Sequence, residues 1–353
     1  MTLWLRGRRA LALGIALAVL LVCTSPAQAY VLVGDRPQTR ILKYSDSGTY
    51  LGVVVSDAAN LMGMSPNDGG PSAMVLSPDG TKLYVASGNN NIVRYDFNGT
   101  TAVNPLVFTS NGSSTVNGPS GLLFSADGST LYVGNRGFGS SNVARFSPAG
   151  ASLGANLTGG PSTGRTDLAI GPSRELLVAT FNAPTQPAGV LHFDPNTSQF
   201  VDLIAPTATL SGITSLLVSG NDLYVAAGFG PEFAGRLAKY TITGTTAAAD
   251  VGFGLGGAII PPVAFPSSLT PSAQGGMLMS MLGFVAGQGR VDRFGFDGTN
   301  LGVWATATAD PQNGFTEPSV LLQVVPEPGS LLTAIVALAA GIAARRRALP
   351  SHA

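Results

Sequence analysis

The chain has 353 residues, 11% of them charged, and a single cysteine, Cys23. One thiol excludes internal disulfides and cysteine-based metal centres. Between residues 30 and 325 there are 13 basic and 18 acidic side chains, a net charge of −5, so no basic stripe is present to neutralise nucleic-acid phosphates.

Residues 1–29 have the three parts of an export signal. Arg6, Arg8 and Arg9 make a basic start, residues 10–22 an apolar centre, and Ala27, Gln28 and Ala29 a small-residue cleavage site. Cleavage after Ala29 by signal peptidase leaves Tyr30 as the first mature residue. Val22, preceding Cys23, is too large for a lipoprotein signal. An uncleaved membrane anchor is the alternative.

From Tyr30 onward, 46 glycines and 24 prolines in the whole chain punctuate short apolar runs, which suits many strands joined by many turns. Six segments superpose on one another: "GPSAMVLSPDG" from Gly70, "GPSGLLFSADG" from Gly118, "GRTDLAIGPSR" from Gly164, "GITSLLVSGND" from Gly212, "FPSSLTPSAQG" from Phe265 and "EPSVLLQVV" from Glu317. Their starts lie 46 to 53 residues apart. Second runs such as "KLYVASG" and "TLYVGNR" follow, then third runs such as "NIVRYDF". In the last of these, Val93, Tyr95 and Phe97 alternate with Arg94 and Asp96, the period of a strand with one face buried.

Asp79-Gly80, Asp127-Gly128 and Asn221-Asp222 supply tight connections between first and second strands. A fourth strand in each unit, for example at Leu106 to Phe108 and Phe200 to Ile204, completes the pattern of a propeller blade. The fold class is therefore all-β: a single β-propeller over 30–325.

Residues 30–55 match later strands of a blade without a first, and residues 317–325 match a first strand alone. Pairing them closes a ring of six four-stranded blades and removes two open edges. The Met-rich repeat around Met277 to Met281 is the weakest, and five or seven blades is the alternative. The stretches from Ser77 and Ser125, "SPDGTKLYVASGNNNIVRYD" and "SADGSTLYVGNRGFGSSNVARF", resemble YVTN-type and NHL-type propeller repeats of secreted bacterial proteins. Enzymes and binding scaffolds share such repeats.

The repeat register places a ring of hydroxyls at the starts of the first strands: Ser72, Ser120, Thr166, Thr214, Ser267 and Ser319. They can bind a sugar or water, and more simply they satisfy backbone groups around a channel. Arg36 and Arg136 occupy equivalent loops after second strands. With Asn135, Asn89 and Asn182 they are the candidate ligand-binding residues, suited to an anionic glycan; solvated loop residues are the plainer reading.

The shape is similar to that of six-bladed gluconolactonase-like enzymes. That resemblance implies a calcium or other divalent cation held by carboxylates and amides at the channel mouth, with Asp167 and Glu317 as the candidate metal ligands. His192, in a third strand, has no partner spacing for a Ser-His-Asp arrangement. "GFGLGG" at residues 252–257 lacks a following Lys-Ser/Thr and reads as a mobile blade connection.

The tail, 326–353, opens with Pro326, Glu327 and Pro328, runs through an apolar helix at 331–344 and ends in the cluster Arg345, Arg346 and Arg347. Fourteen apolar residues are fewer than the roughly 20 of an ordinary membrane span, and the arginines hold the terminus in the cytoplasm. This arrangement resembles the PEP-CTERM sorting signal of bacterial envelope proteins. That resemblance implies an exosortase as processing partner and an exopolysaccharide-producing host; a plain C-terminal anchor is the alternative.

Taken together, the expectation is an exported, non-enzymatic envelope or matrix protein, without cofactor. It is transiently anchored in the inner membrane through its C-terminal transmembrane helix and displays the propeller to exopolysaccharide or surface proteins. The alternative is a secreted, metal-dependent lactonase-like hydrolase.

Overall fold

A computed structural model describes residues 28–57, 60–62, 70–87, 90–109, 116–137, 142–154, 156–159, 164–181, 187–228, 235–254, 258–259, 265–283, 288–308, 312 and 314–325. The chain divides into two units: Tyr30–Val324, and the two ends Met1–Ala29 with Val325–Ala353. Of the second unit only residues 28, 29 and 325 are described, so Cys23, Ala27, the Pro326-Glu327-Pro328 motif, the apolar run 331–344 and Arg345 to Arg347 lie outside the described residues. Among the described residues no helix is long and apolar enough to cross a membrane.

Tyr30–Val324 forms six antiparallel sheets, the blades of a propeller. Blade I is composite: Pro318–Val324 is its innermost strand, followed outward by Tyr30–Asp35, Arg40–Ser45 and Tyr50–Val55. Blade II contains Pro71–Leu76, Lys82–Ser87, Ile92–Phe97 and Ala102–Thr109. Blade III contains Pro119–Phe124, Leu131–Asn135 and Val143–Phe146. Blade IV contains Gly164–Ile170, Leu176–Phe181, Ala188–Asp194 and Gln199–Thr207. Blade V contains Ile213–Ser219, Asp222–Ala227, Arg236–Thr243 and Thr246–Ala249, and blade VI Phe265–Pro271, Met277–Leu282, Arg290–Phe294 and Asn300–Thr306.

Period-two alternation builds the core. The second strand of each blade is sandwiched between neighbours, so consecutive apolar side chains enter opposite seams. Leu83 packs with Leu32 between blades I and II, while Tyr84 packs with Leu131 between II and III. Leu177 joins Leu223 between IV and V, while Val178 joins Val143 between III and IV. Leu278 meets Val31 across the seam of VI and I, and Met279 meets Tyr224 across that of V and VI. The Met-rich repeat, the weakest in sequence, is thus fully built, with Met277, Met279 and Met281 buried; their unbranched side chains fill the seam. Outermost strands are wetter, and Val103, Leu106, Leu301 and Val303 stand exposed on them.

Three local expectations are corrected. Among the described residues blade III has no regular fourth strand: the bridges Val143↔Leu157 and Phe146↔Ser152 stand in its place, and Gly150 and Gly154 take positive φ there. Residues Gly252 to Gly254 do not connect blades; they fall between Thr246–Ala249 and Ala258–Ile259, two segments that both pair with Arg236–Thr243, and Phe253 is buried there. In blade V the turn centres on Gly220-Asn221, because Ser219 already pairs with Asp222.

The termini are held by more than the sheet. Tyr30–Asp35 pairs antiparallel with Pro318–Val324, from Tyr30↔Val324 to Asp35↔Pro318. The buried Asp35 carboxylate accepts from Arg40 Nε at 2.9 Å and Nη2 at 2.7 Å, from the Thr316 hydroxyl at 2.8 Å, and from the Thr316 and Glu317 amides at 3.0 Å. Arg40 also donates to the Gly314 carbonyl, and the Tyr44 hydroxyl accepts from the Phe315 amide. One polar cluster therefore clasps the approach to the last strand.

Candidate active site at the channel mouth

The six hydroxyls form a closed ring. Ser72 donates to the Pro119 carbonyl at 2.8 Å, Ser120 to Arg165 at 3.0 Å, Thr166 to Ile213 at 2.7 Å, Thr214 to Pro266 at 2.9 Å, Ser267 to Pro318 at 3.2 Å and Ser319 to Pro71 at 2.7 Å. Each acceptor immediately precedes the next hydroxyl, so every blade is tied to the following one by the same bond. The protons are committed to carbonyls; what the ring offers a ligand is hydroxyl lone pairs.

One residue further along each inner strand, a second tier of inter-blade bonds runs over part of the circle. Asp167 Oδ2 accepts from the Ser215 hydroxyl and the Leu216 amide, both at 2.8 Å, and Asp167 Oδ1 accepts from the Leu168 amide. Ser215 in turn accepts from the Leu269 amide, and Ser268 from the Leu321 amide. At the same position blades II and III carry Ala73 and Gly121, which have no side-chain oxygen. Asp167 is therefore a strut between blades IV and V. Desolvation pushes its carboxyl up to about 6, against the lowering effect of its hydrogen bonds.

Above the ring opens a cavity of about 540 Å³, within the ~300–1,000 Å³ of small-molecule sites. Arg36, Asn90, Asn117 and Arg136 line it from blades I to III; Phe181, Phe265 and Leu282 line it from blades IV and VI. Arg36 and Arg136 are structurally equivalent: each follows a second strand, and each amide donates to the residue preceding the inner strand, Glu317 at 3.1 Å and Gly118 at 2.9 Å. The next blade packs so closely on these loops that its first residue must lack a side chain. A Cβ at Gly70, whose φ is +87°, would lie 2.4 Å from the Arg36 carbonyl, and one at Gly164 would lie 2.7 Å from that of Arg136. The Arg136 guanidinium sits 5.3 Å over the Phe181 ring.

The other predicted site residues divide. Asn135 is fully buried below the loop, accepting from the Asn117 amide at 3.0 Å and donating to Asn142 at 2.6 Å, so its side chain fixes loop geometry. Asn89 and Asn182 lie outside the described residues. The amides found in the cavity, Asn90 and Asn117, were missed; each neighbours a residue that the repeat does single out, Asn89 and Gly118. His192 is buried in the third strand of blade IV, paired with Leu177 and Val201, and does not line the cavity.

Asp167 and Glu317, the candidate metal ligands, do not come together as a cation site. Asp167 is bonded into blade V, whereas Glu317 leads into blade I, three blades away around the ring. Among the described residues no three His, Cys, Asp or Glu side chains gather as a metal site. Glu317 lies instead beside Arg36. Burial holds its carboxyl above the usual range, Asp35 adds to that, and the Arg36 charge opposes it.

Fold and cavity together define a six-bladed propeller with a cationic, small-molecule-sized mouth. No family model matches the chain, and no curated protein matches it. Solved structures do. The Pseudomonas aeruginosa periplasmic gluconolactonase PpgL is 14% identical with a TM-score of 0.51, over 85% of this chain and 100% of that one. A 6-phosphogluconolactonase-like protein of Bacteroides uniformis is 14% identical with a TM-score of 0.54, over 84% and 99%. A chain of the nidogen/laminin complex is 10% identical with a TM-score of 0.58, over 85% and 100%. At these identities the likeness establishes the fold. The expectation of a non-enzymatic protein is corrected on this finding: solved propellers of this shape include lactonases, so the fold gives no ground for setting a hydrolase aside.

Proposed function

We propose that the protein is an exported hydrolase of small lactones or esters that carry a negative charge. The observation that carries this reading is the cavity above the hydroxyl ring, with Arg36 and Arg136 on one wall and Glu317 beside Arg36. The guanidinium groups hold the substrate's anion and stabilise the oxyanion that develops at its carbonyl. In this reading Glu317, made more basic by burial, takes a proton from the attacking water. The water oxygen bonds to the carbonyl carbon, the ring C–O bond breaks, and the proton passes to the leaving alkoxide; the net change is addition of one water.

The test is a pH-stat assay of the exported protein on 6-phosphogluconolactone, gluconolactone and aryl-substituted lactones, corrected for spontaneous opening. Turnover of at least one is expected, with Arg36→Ala lowering kcat/KM about a hundredfold. A rate indistinguishable from buffer on every lactone overturns the proposal.

The leader and tail support an envelope address, with signal peptidase and an exosortase acting on them. Intact mass of the exported protein is expected to begin at Tyr30 and to lack the tail from near Pro328; a mature pool retaining Ala353 overturns exosortase processing.

A further inference from the structure

The cavity walls are chemically unlike each other. Blades I to III contribute cations and amides, whereas blades IV and VI contribute Phe181, Phe265 and Leu282. The difference arises at equivalent places in the repeat. Arg36 and Arg136 follow the second strands of blades I and III, where blades IV and VI end their second strands in Phe181 and Leu282. Phe265, likewise, stands two residues before Ser267, where blades II, III, IV and V have Gly70, Gly118, Gly164 and Gly212 and blade I has Glu317.

From this division we propose that the ligand is an amphipathic anion: a carboxylate or phosphate held by Arg36 and Arg136, joined to a short aliphatic or aromatic group that lies against Phe181, Phe265 and Leu282. The proposal deepens the lactone-hydrolase reading and rests on the same cavity. A polyhydroxylated sugar acid fits it poorly, because hydroxyls pressed on the apolar wall lose water without gaining partners. An aryl or alkyl group there buries apolar surface, and about 60 Å² of it is a factor of ten in affinity. The Phe181 ring also faces the Arg136 guanidinium, so the apolar wall is continuous with the anion anchor.

The experiment is calorimetric titration of the full exported protein with acetate, hexanoate, phenylacetate and gluconate, none of which is a lactone. Phenylacetate and hexanoate are expected to bind at least tenfold more tightly than acetate, and gluconate no more tightly than acetate. Leu282→Asn should erase most of the aryl preference while leaving acetate unchanged, and Arg36→Gln should weaken all four. Gluconate binding as tightly as phenylacetate, or no carboxylate binding at all, overturns the proposal, and the wild-type series decides this even if a variant fails to fold. The two readings fail separately. Selective aryl-carboxylate binding without turnover of any lactone removes the hydrolase and keeps the amphipathic site; turnover of polyhydroxylated lactones with no aryl preference does the reverse.

Discussion

The Ser319 hydroxyl donates to the Pro71 carbonyl at 2.7 Å, and with this bond the last strand of the chain completes the circle of blade-to-blade contacts. The same hydroxyl lies 3.1 Å from the Gly34 carbonyl. Ser319→Ala leaves the Pro71 carbonyl short of that donor at the seam between blades I and II. The expected loss is about 1 kcal/mol of unfolding free energy, read by urea denaturation. Ser129→Ala, in an exposed turn of blade III, should change stability by less than about 0.5 kcal/mol.

The clasp around Asp35 is a larger commitment. Arg40→Met removes the cation from a buried carboxylate and withdraws the donor from the Gly314 carbonyl. About 3 kcal/mol of destabilisation is expected, with hydrogen exchange accelerating first in Tyr30–Asp35 and Pro318–Val324. Uniform acceleration across all six blades would show that the clasp has no local role.

Asp167 gives folding a pH dependence of unusual sign. Its folded carboxyl is pushed up to about 6, above the ordinary aspartate value near 4, so the native state holds the proton more tightly than the unfolded chain. The stabilisation from this group is complete below pH ~4, shrinks as pH rises and is gone above about 6, a decline of about 2 to 3 kcal/mol. Urea titrations from pH 4 to 7 should show that decline in the wild type, and Asp167→Asn should flatten it. Identical slopes in the two proteins would remove the assignment.

Glu317 should set the acid limb of activity. Because burial raises its carboxyl, kcat/KM is expected to fall with decreasing pH from above the ordinary glutamate range near 4.3. Glu317→Gln should lower kcat by about a hundredfold or more and abolish the limb. Retention of the wild-type profile would exclude Glu317 as the base.

The blades were legible because their determinants are local: alternation in strands such as Ile92–Phe97, turn residues such as Gly80, and a hydroxyl at one register position. The composite blade was legible for the same reason, since each terminus carried the strands that the other lacked. The site was only partly so. Equivalence within the repeat located Arg36 and Arg136, but not how far a side chain stands from the axis. Asp167 and Glu317 both sit near inner-strand starts, yet only the closed ring shows one bonded into its neighbour and the other beside an arginine. Phe181 and Leu282 read as ordinary strand ends until six blades place them around one opening.

The pairing of Tyr30 with Val324 has a directional consequence. Along the innermost strand of blade I, Ser319 belongs to the ring beneath the cavity, and Val324 lies five residues further on, about 16 Å down the channel. Tyr30, beside it, is at that same far end. Both points where the propeller continues into the rest of the chain are thus on the side away from Arg36 and Arg136.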